Sequence, residues 1–168
     1  MQLLRRVWVQ QCSAAILDHP VRWRTAEDLP PAPLLISSPY DPEARYGTKR
    51  GTEWTGYKVH LTEPCDDDTP NLITDVTTTP ATTTDFAVLP SIQEHLAVRD
   101  LTPREQIVDA GYLCADHLVT SRAEHGIDLI GPAAPDRSWQ ARTADGVTAS
   151  QFVLDWDAQH ATCRVPLG

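Results

Sequence analysis

Fourteen prolines stand against eight glycines in 168 residues, and this ratio constrains the fold more than any other feature. Proline removes a backbone donor and fixes φ, so it interrupts helices and is kept to the edges of sheets. Five of the prolines (Pro30, Pro31, Pro33, Pro39 and Pro42) fall within residues 29–42. Each biases its predecessor to extended geometry, and the segment reads as a stiff connector. Long helical bundles are therefore excluded, and short helices alternating with strands are expected. A chain of this length fits one core that needs no disulfide staples.

The pattern after the connector is that of an α/β chain. Residues 57–62 alternate, with Tyr57, Val59 and Leu61 on one face, as in a half-buried strand. A second β-branched run covers residues 72–78 and should pair with the first as an antiparallel hairpin, with Asp66, Asp67 and Asp68 in the turn. Thr83, Thr84 and Asp85 offer caps for a helix to about Val98, with Val88, Leu89, Ile92 and Leu96 on one stripe. Ile107 and Val108 form a short strand beside that hairpin. A helix over residues 114–124 follows, with Gly126 at its C-cap, and then a strand over 127–130. Residues 152–156 and 161–163 close the chain as a hairpin. Ahead of all this, residues 1–17 carry an amphipathic helical pattern with few apolar partners nearby.

The net charge is −9, from 14 Lys and Arg against 23 Asp and Glu. A uniformly basic nucleic-acid coat is excluded, so any DNA contact needs a local patch. One candidate is residues 41–60, where Arg45, Lys49, Arg50 and Lys58 alternate with Tyr46, Trp54 and Tyr57. Cations interleaved with aromatics suit phosphate contact and base stacking. A solvated loop with its aromatics packed inward explains the same composition. The four cysteines lie about fifty residues apart with no C-x-x-C, which suits buried thiols better than a disulfide framework or a zinc site. No run approaches the length of a membrane span, and the basic N-terminus lacks a signal-peptide core, so the expected compartment is the cytoplasm.

The sharpest chemical candidate is Val108-Asp109-Ala110-Gly111-Tyr112. It puts an acid at the carboxyl end of an apolar strand, where α/β folds place ligands. A carboxylate there can hold Mg²⁺, a hard cation that takes oxygen ligands. A turn-forming Asp is the plainer explanation. Local motifs for zinc proteases, serine hydrolases and P-loops are absent.

In combination and order, these blocks resemble bacterial DDE-type insertion-sequence transposases. The residues that carry the likeness are Ser38-Pro39-Tyr40-Asp41-Pro42-Glu43-Ala44-Arg45-Tyr46, Lys49-Arg50, and Trp54 through Glu63. The likeness continues through Thr78 to Asp85, Val108 to Tyr112, His125 to Pro132, and Phe152 to Asp157. It implies a ribonuclease H-like mixed sheet with helices across it. It also implies a site of three carboxylates holding Mg²⁺ for DNA cleavage and strand transfer at transposon ends. Asp109 matches the second carboxylate, as catalytic residue and metal ligand. The first-strand Asp and the Glu of a late helix have no counterpart here. The expectation is an incomplete domain: a helical and connector segment over 1–35, a partial catalytic domain over 36–135, and a C-terminal hairpin segment over 136–168. The implied DNA-binding residues are Arg45, Lys49, Arg50, Trp54, Tyr57 and Lys58. The implied partners are DNA and either the missing transposase segments or further copies of the chain, with no membrane. A non-catalytic DNA-binding or interaction module left by decay is the alternative. Asp41 and Asp75 are the acids expected nearest Asp109.

Overall fold

The computed structural model describes residues 2–13, 21–66, 70–133, 135–144 and 146–163. Helix α1 (Gln2–Gln11) leads into a two-residue bridge between β1 (Cys12–Ser13) and β2 (Arg22–Trp23). No side chain of α1 is buried, as its lack of apolar partners predicts. A single 3₁₀ turn, Ala26–Asp28, opens the proline-rich connector, which then runs without helix or strand to Ala44.

Strands β3 (Arg45–Lys49), β4 (Thr52–Thr62) and β5 (Asp75–Pro80) form an antiparallel sheet in that order. The β3 strand is not foreseen by the sequence reading. It is joined to β4 through Arg50 and Gly51, both at positive φ (52° and 82°), the backbone a two-residue primed turn requires. The β4–β5 hairpin is as expected; Asp67 and Asp68 of its connection lie outside the described residues.

Helix α2 (Asp85–Val98) buries Val88, Leu89, Ile92 and Leu96, the predicted stripe, and also Gln93. Thr84 occupies the cap position without a side-chain cap bond. Strand β6 (Glu105–Ile107), helix α3 (Ala115–His125) and strand β7 (Asp128–Ile130) complete a parallel β-α-β unit. Gly126 closes α3 in the left-handed conformation, its N–H donating to Arg122 and Ser121 carbonyls. The Gln93 amide donates to Gln106 Oε1 and Ser121 Oγ, each at 2.9 Å, so one buried amide ties α2 to both β6 and α3.

Two expectations are corrected. First, β6 and β7 form their own two-stranded sheet and do not pair beside the β4–β5 hairpin. Among the described residues the chain is mixed α/β with four small sheets, and no single mixed sheet joins them. Second, the covered face of β4 is the polar one. Lys58, His60 and Thr62 point inward, whereas Tyr57, Val59 and Leu61 are 39%, 60% and 57% exposed. Register places Val76 on the same bare face, and it too is exposed.

The chain divides into two compact units after Pro132. The second contains a single-turn helix α4 (Trp139–Arg142), a 3₁₀ turn (Ala149–Gln151), and an antiparallel pair of β8 (Phe152–Asp155) with β9 (His160–Cys163). All eight strand residues are exposed. The cysteines are free thiols, but only Cys12 is buried, and Cys65 and Cys163 are exposed. No helix among the described residues is long and apolar enough to cross a membrane.

Candidate functional site

Asp109 follows β6 by two residues, in a turn that lies beyond the carboxyl end of that strand, and its side chain is exposed. Its Oδ1 accepts the Gly111 N–H at 2.7 Å, and the Tyr112 N–H donates to the Asp109 carbonyl at 3.1 Å. This is an Asx-turn, a local bond that favours Asp at such positions. The turn-former reading and the open-carboxylate reading therefore hold together: one oxygen shapes the turn, and the side chain remains open to solvent.

The acid across Gly111 from Asp109 is Asp85, the first residue of α2. A methyl carbon on Gly111 would stand 2.9 Å from Asp109 Oδ1 and 3.1 Å from Asp85 Oδ2. The two carboxylates thus flank one glycine. Asp85 is half-buried and accepts Lys58 Nζ at 3.1 Å, with Lys49 Nζ at 3.5 Å from its other oxygen. Lys58 also donates to the Thr83 carbonyl at 2.6 Å. Burial pushes the Asp85 carboxyl up. The Lys58 hydrogen bond and the Lys58, Lys49 and His60 charges outweigh that and hold it below the usual carboxylate value.

The two acids expected near Asp109 serve elsewhere. Asp41 accepts the Tyr57 hydroxyl through both oxygens at 2.9 Å, which lowers the carboxyl and raises the phenol. Asp75 is fully buried, with His95 Nδ1 at 3.3 Å and an Arg99 nitrogen at 3.0 Å from Oδ1. The sequence offers Thr83, Thr84 and Asp85 together as caps, and the cap position falls to Thr84. The available signal for Asp85 is its place one residue after that cap, at a helix N-terminus with lysines in a neighbouring strand pair.

Register places Arg45, Lys49, Trp54 and Lys58 on one face of the β3–β4 pair and Tyr46 and Tyr57 on the other, and the cations of that face are already engaged. The Arg45 guanidinium donates to the carbonyls of Pro33, Pro42 and Ala44, at 2.7, 2.6 and 3.0 Å, and so secures the proline-rich connector. Lys49 and Lys58 are drawn to Asp85. Trp54 donates its indole N–H to the Tyr57 carbonyl at 3.2 Å. Arg50, at the tip of the β3–β4 turn, is exposed and carries no ion pair among the described residues.

Beneath the turn lies a buried histidine. His60 Nδ1 is 2.5 Å from the Tyr112 hydroxyl, and Nε2 is 3.2 Å from Thr79 Oγ1. Burial lowers the His60 pKa, with Lys58 and Lys49 acting in the same direction and Asp85 against them. Burial likewise raises the Tyr112 phenol, with further contributions from Asp85 and Asp109.

The implied Mg²⁺ does not fit the side chains that converge. No group of three His, Cys, Asp or Glu residues able to hold a metal occurs among the described residues. Of the two carboxylates beside Gly111, one is already neutralised by two lysines. Comparison with protein-family models, curated proteins and solved structures returned no match.

Proposed function

We propose that this chain is a transposase-derived polypeptide of the DDE type, carrying the remnant of a DNA strand-cleavage site at Asp109 and inactive in cleavage by itself. The observation that supports this reading is the exposed Asp109 carboxylate beyond the carboxyl end of β6, in a β-α-β unit whose helix α3 packs on β7 and against α2. That is where α/β folds present their chemistry. The absence of a converging third acid among the described residues is the reason for proposing inactivity. A single exposed carboxylate without substrate phosphates is a poor Mg²⁺ site, because that ion is held by one or two carboxylates together with such phosphates.

The test is DNA binding and cleavage with duplexes carrying the ends of the element that encodes the chain. The expected result is weak binding with no Mg²⁺-dependent cutting. Affinity should fall with salt, at about 0.9 log units per log unit of salt for each phosphate contacted. Arg50→Ala should reduce that slope, because Arg50 is the open cation of the basic segment. Efficient cutting by the isolated chain would refute the inactive-remnant reading. Binding that is absent, or indifferent to salt, would refute the DNA assignment.

A further inference from the structure

We infer that His60 and Tyr112 are positioning residues for Asp109: their bond holds the Asp109 turn onto the β3–β4–β5 sheet, and protonation of the His60 ring releases it. The inference rests on Asp109 being the site residue, and it adds a mode of control to that site.

The geometry carries the inference. No strand pairing joins the β6–β7 sheet to the β3–β4–β5 sheet. Among the described contacts, the turn that follows β6 reaches β4 through the Tyr112 side chain. Its ring packs on the Val88, Ile92 and Leu96 cluster and meets the His60 ring edge-on, with centroids 5.8 Å apart. Its hydroxyl meets His60 Nδ1, and its backbone carbonyl faces His117 Nδ1 of α3 at 2.8 Å. Tyr112 is thus held at both ends, and its N–H donates to the Asp109 carbonyl while the N–H of the neighbouring Gly111 donates to Asp109 Oδ1.

A neutral imidazole has one donor and one acceptor, and with its proton on Nε2 the ring donates to Thr79 Oγ1 and accepts the Tyr112 hydroxyl at Nδ1. An imidazolium has two donors. The Tyr112 hydroxyl would then have to accept from the ring, and its own proton would have no partner among the described contacts. The surroundings add to the penalty. Lys58 on β4 and Lys49 on β3 oppose a positive ring, and Asp85 on α2 favours it. Asp109 on the turn faces the phenol. From β5, Thr77 stands opposite His60 in the register and links to Asp75 and to His95 of α2. Undocking Tyr112 exposes His60 to water and relieves its burial, so opening of the turn takes up a proton.

Amide hydrogen exchange on the whole chain, without DNA or metal, tests this directly. Protection factors are followed at Gly111 and Tyr112, and at α2 as reference, as pH falls through the ordinary histidine range. The His60 ring is followed by NMR. Turn protection should fall several-fold in step with His60 protonation while α2 protection holds. Tyr112→Phe should show low, pH-independent turn protection and a His60 pKa nearer the ordinary value. His60→Gln, whose amide can still meet both hydroxyls, should keep the turn closed at every pH. Turn protection that ignores His60 titration in the wild-type chain overturns the inference, even if either variant fails to fold. An unchanged turn in Tyr112→Phe also overturns it. A negative DNA assay would remove only the assignment of Asp109 and leave these results standing.

Discussion

Gly111→Ala is the substitution that most sharply probes how the two carboxylates are arranged. The new methyl would meet Asp109 Oδ1 at 2.9 Å, Asp85 Oδ2 at 3.1 Å and Asp85 Cβ at 3.4 Å. These are closer than ordinary contacts of about 3.5–4.0 Å. The backbone there is outside the left-handed range, so strain in φ is not the issue. Turning the Asp109 carboxylate away breaks its 2.7 Å bond with the Gly111 N–H, at a net cost of about 0.5–1.5 kcal/mol. Crowding Asp85 against its lysine partners adds an overpacking cost of about 1 kcal/mol, the low end of the usual range because side-chain ends can move. Alanine restricts the unfolded chain and returns about 0.4–1 kcal/mol. The expected balance is a loss of about 1–1.5 kcal/mol, from the sum of these estimates. Urea unfolding followed by circular dichroism should show a lower midpoint with an unchanged slope. Gly131→Ala is the internal comparison. Its methyl would run into the Val108 backbone carbonyl and stand 2.7 Å from Leu113 Cδ1. A carbonyl of the main chain cannot rotate aside, so the loss should be larger. A Gly111→Ala chain as stable as wild type, or one less stable than Gly131→Ala, would refute the placement of these acids.

Other substitutions read the same framework. Leu96→Ala removes a side chain that is 1% exposed and should cost about 2–5 kcal/mol in urea unfolding. Val59→Lys, on the bare face of β4, should stay within about 0.5 kcal/mol of wild type in the same experiment; a core-sized loss would mean that face is covered. The lowered Asp85 carboxyl contributes stability that is present above its unfolded pKa and lost as pH falls through its lower folded value. Asp85→Asn should therefore flatten the acid limb of a stability–pH curve, and an unchanged limb would show that the Lys58 pair contributes nothing. For Arg45→Lys, loss of the three-carbonyl fork should raise the rate of proteolytic nicking within residues 29–42, while Arg50→Lys should leave that rate unchanged.

Much of the secondary structure is set locally, and so the sequence alone determined it. The Val88, Leu89, Ile92 and Leu96 stripe has helical period and is buried as such. Gly126 takes the left-handed cap that glycine adopts most easily. The prolines of residues 29–42 keep the connector free of helix and strand. Asp109 comes after a strand because the strand, the Asx-turn and the glycine are consecutive in the chain, although that strand is Glu105–Ile107, with Gln106 buried and Ile107 exposed, and not the apolar run expected. Period-two alternation in β4 likewise establishes that its faces differ, but which face is covered is a tertiary matter. Lys58 and His60 are polar, and an isolated strand would turn them to water. They are buried because partners arrive from far along the chain: Asp85, 27 residues from Lys58, and Tyr112, 52 residues from His60. Burial of a polar group is tolerated only where such partners satisfy it. The same long-range packing brings Asp85 beside Asp109, sends Asp41 to Tyr57 and Asp75 to Arg99, and commits Arg45 to the connector. Residue type gives an acid or a cation its charge, and only the packing of distant elements decides which partner that charge meets.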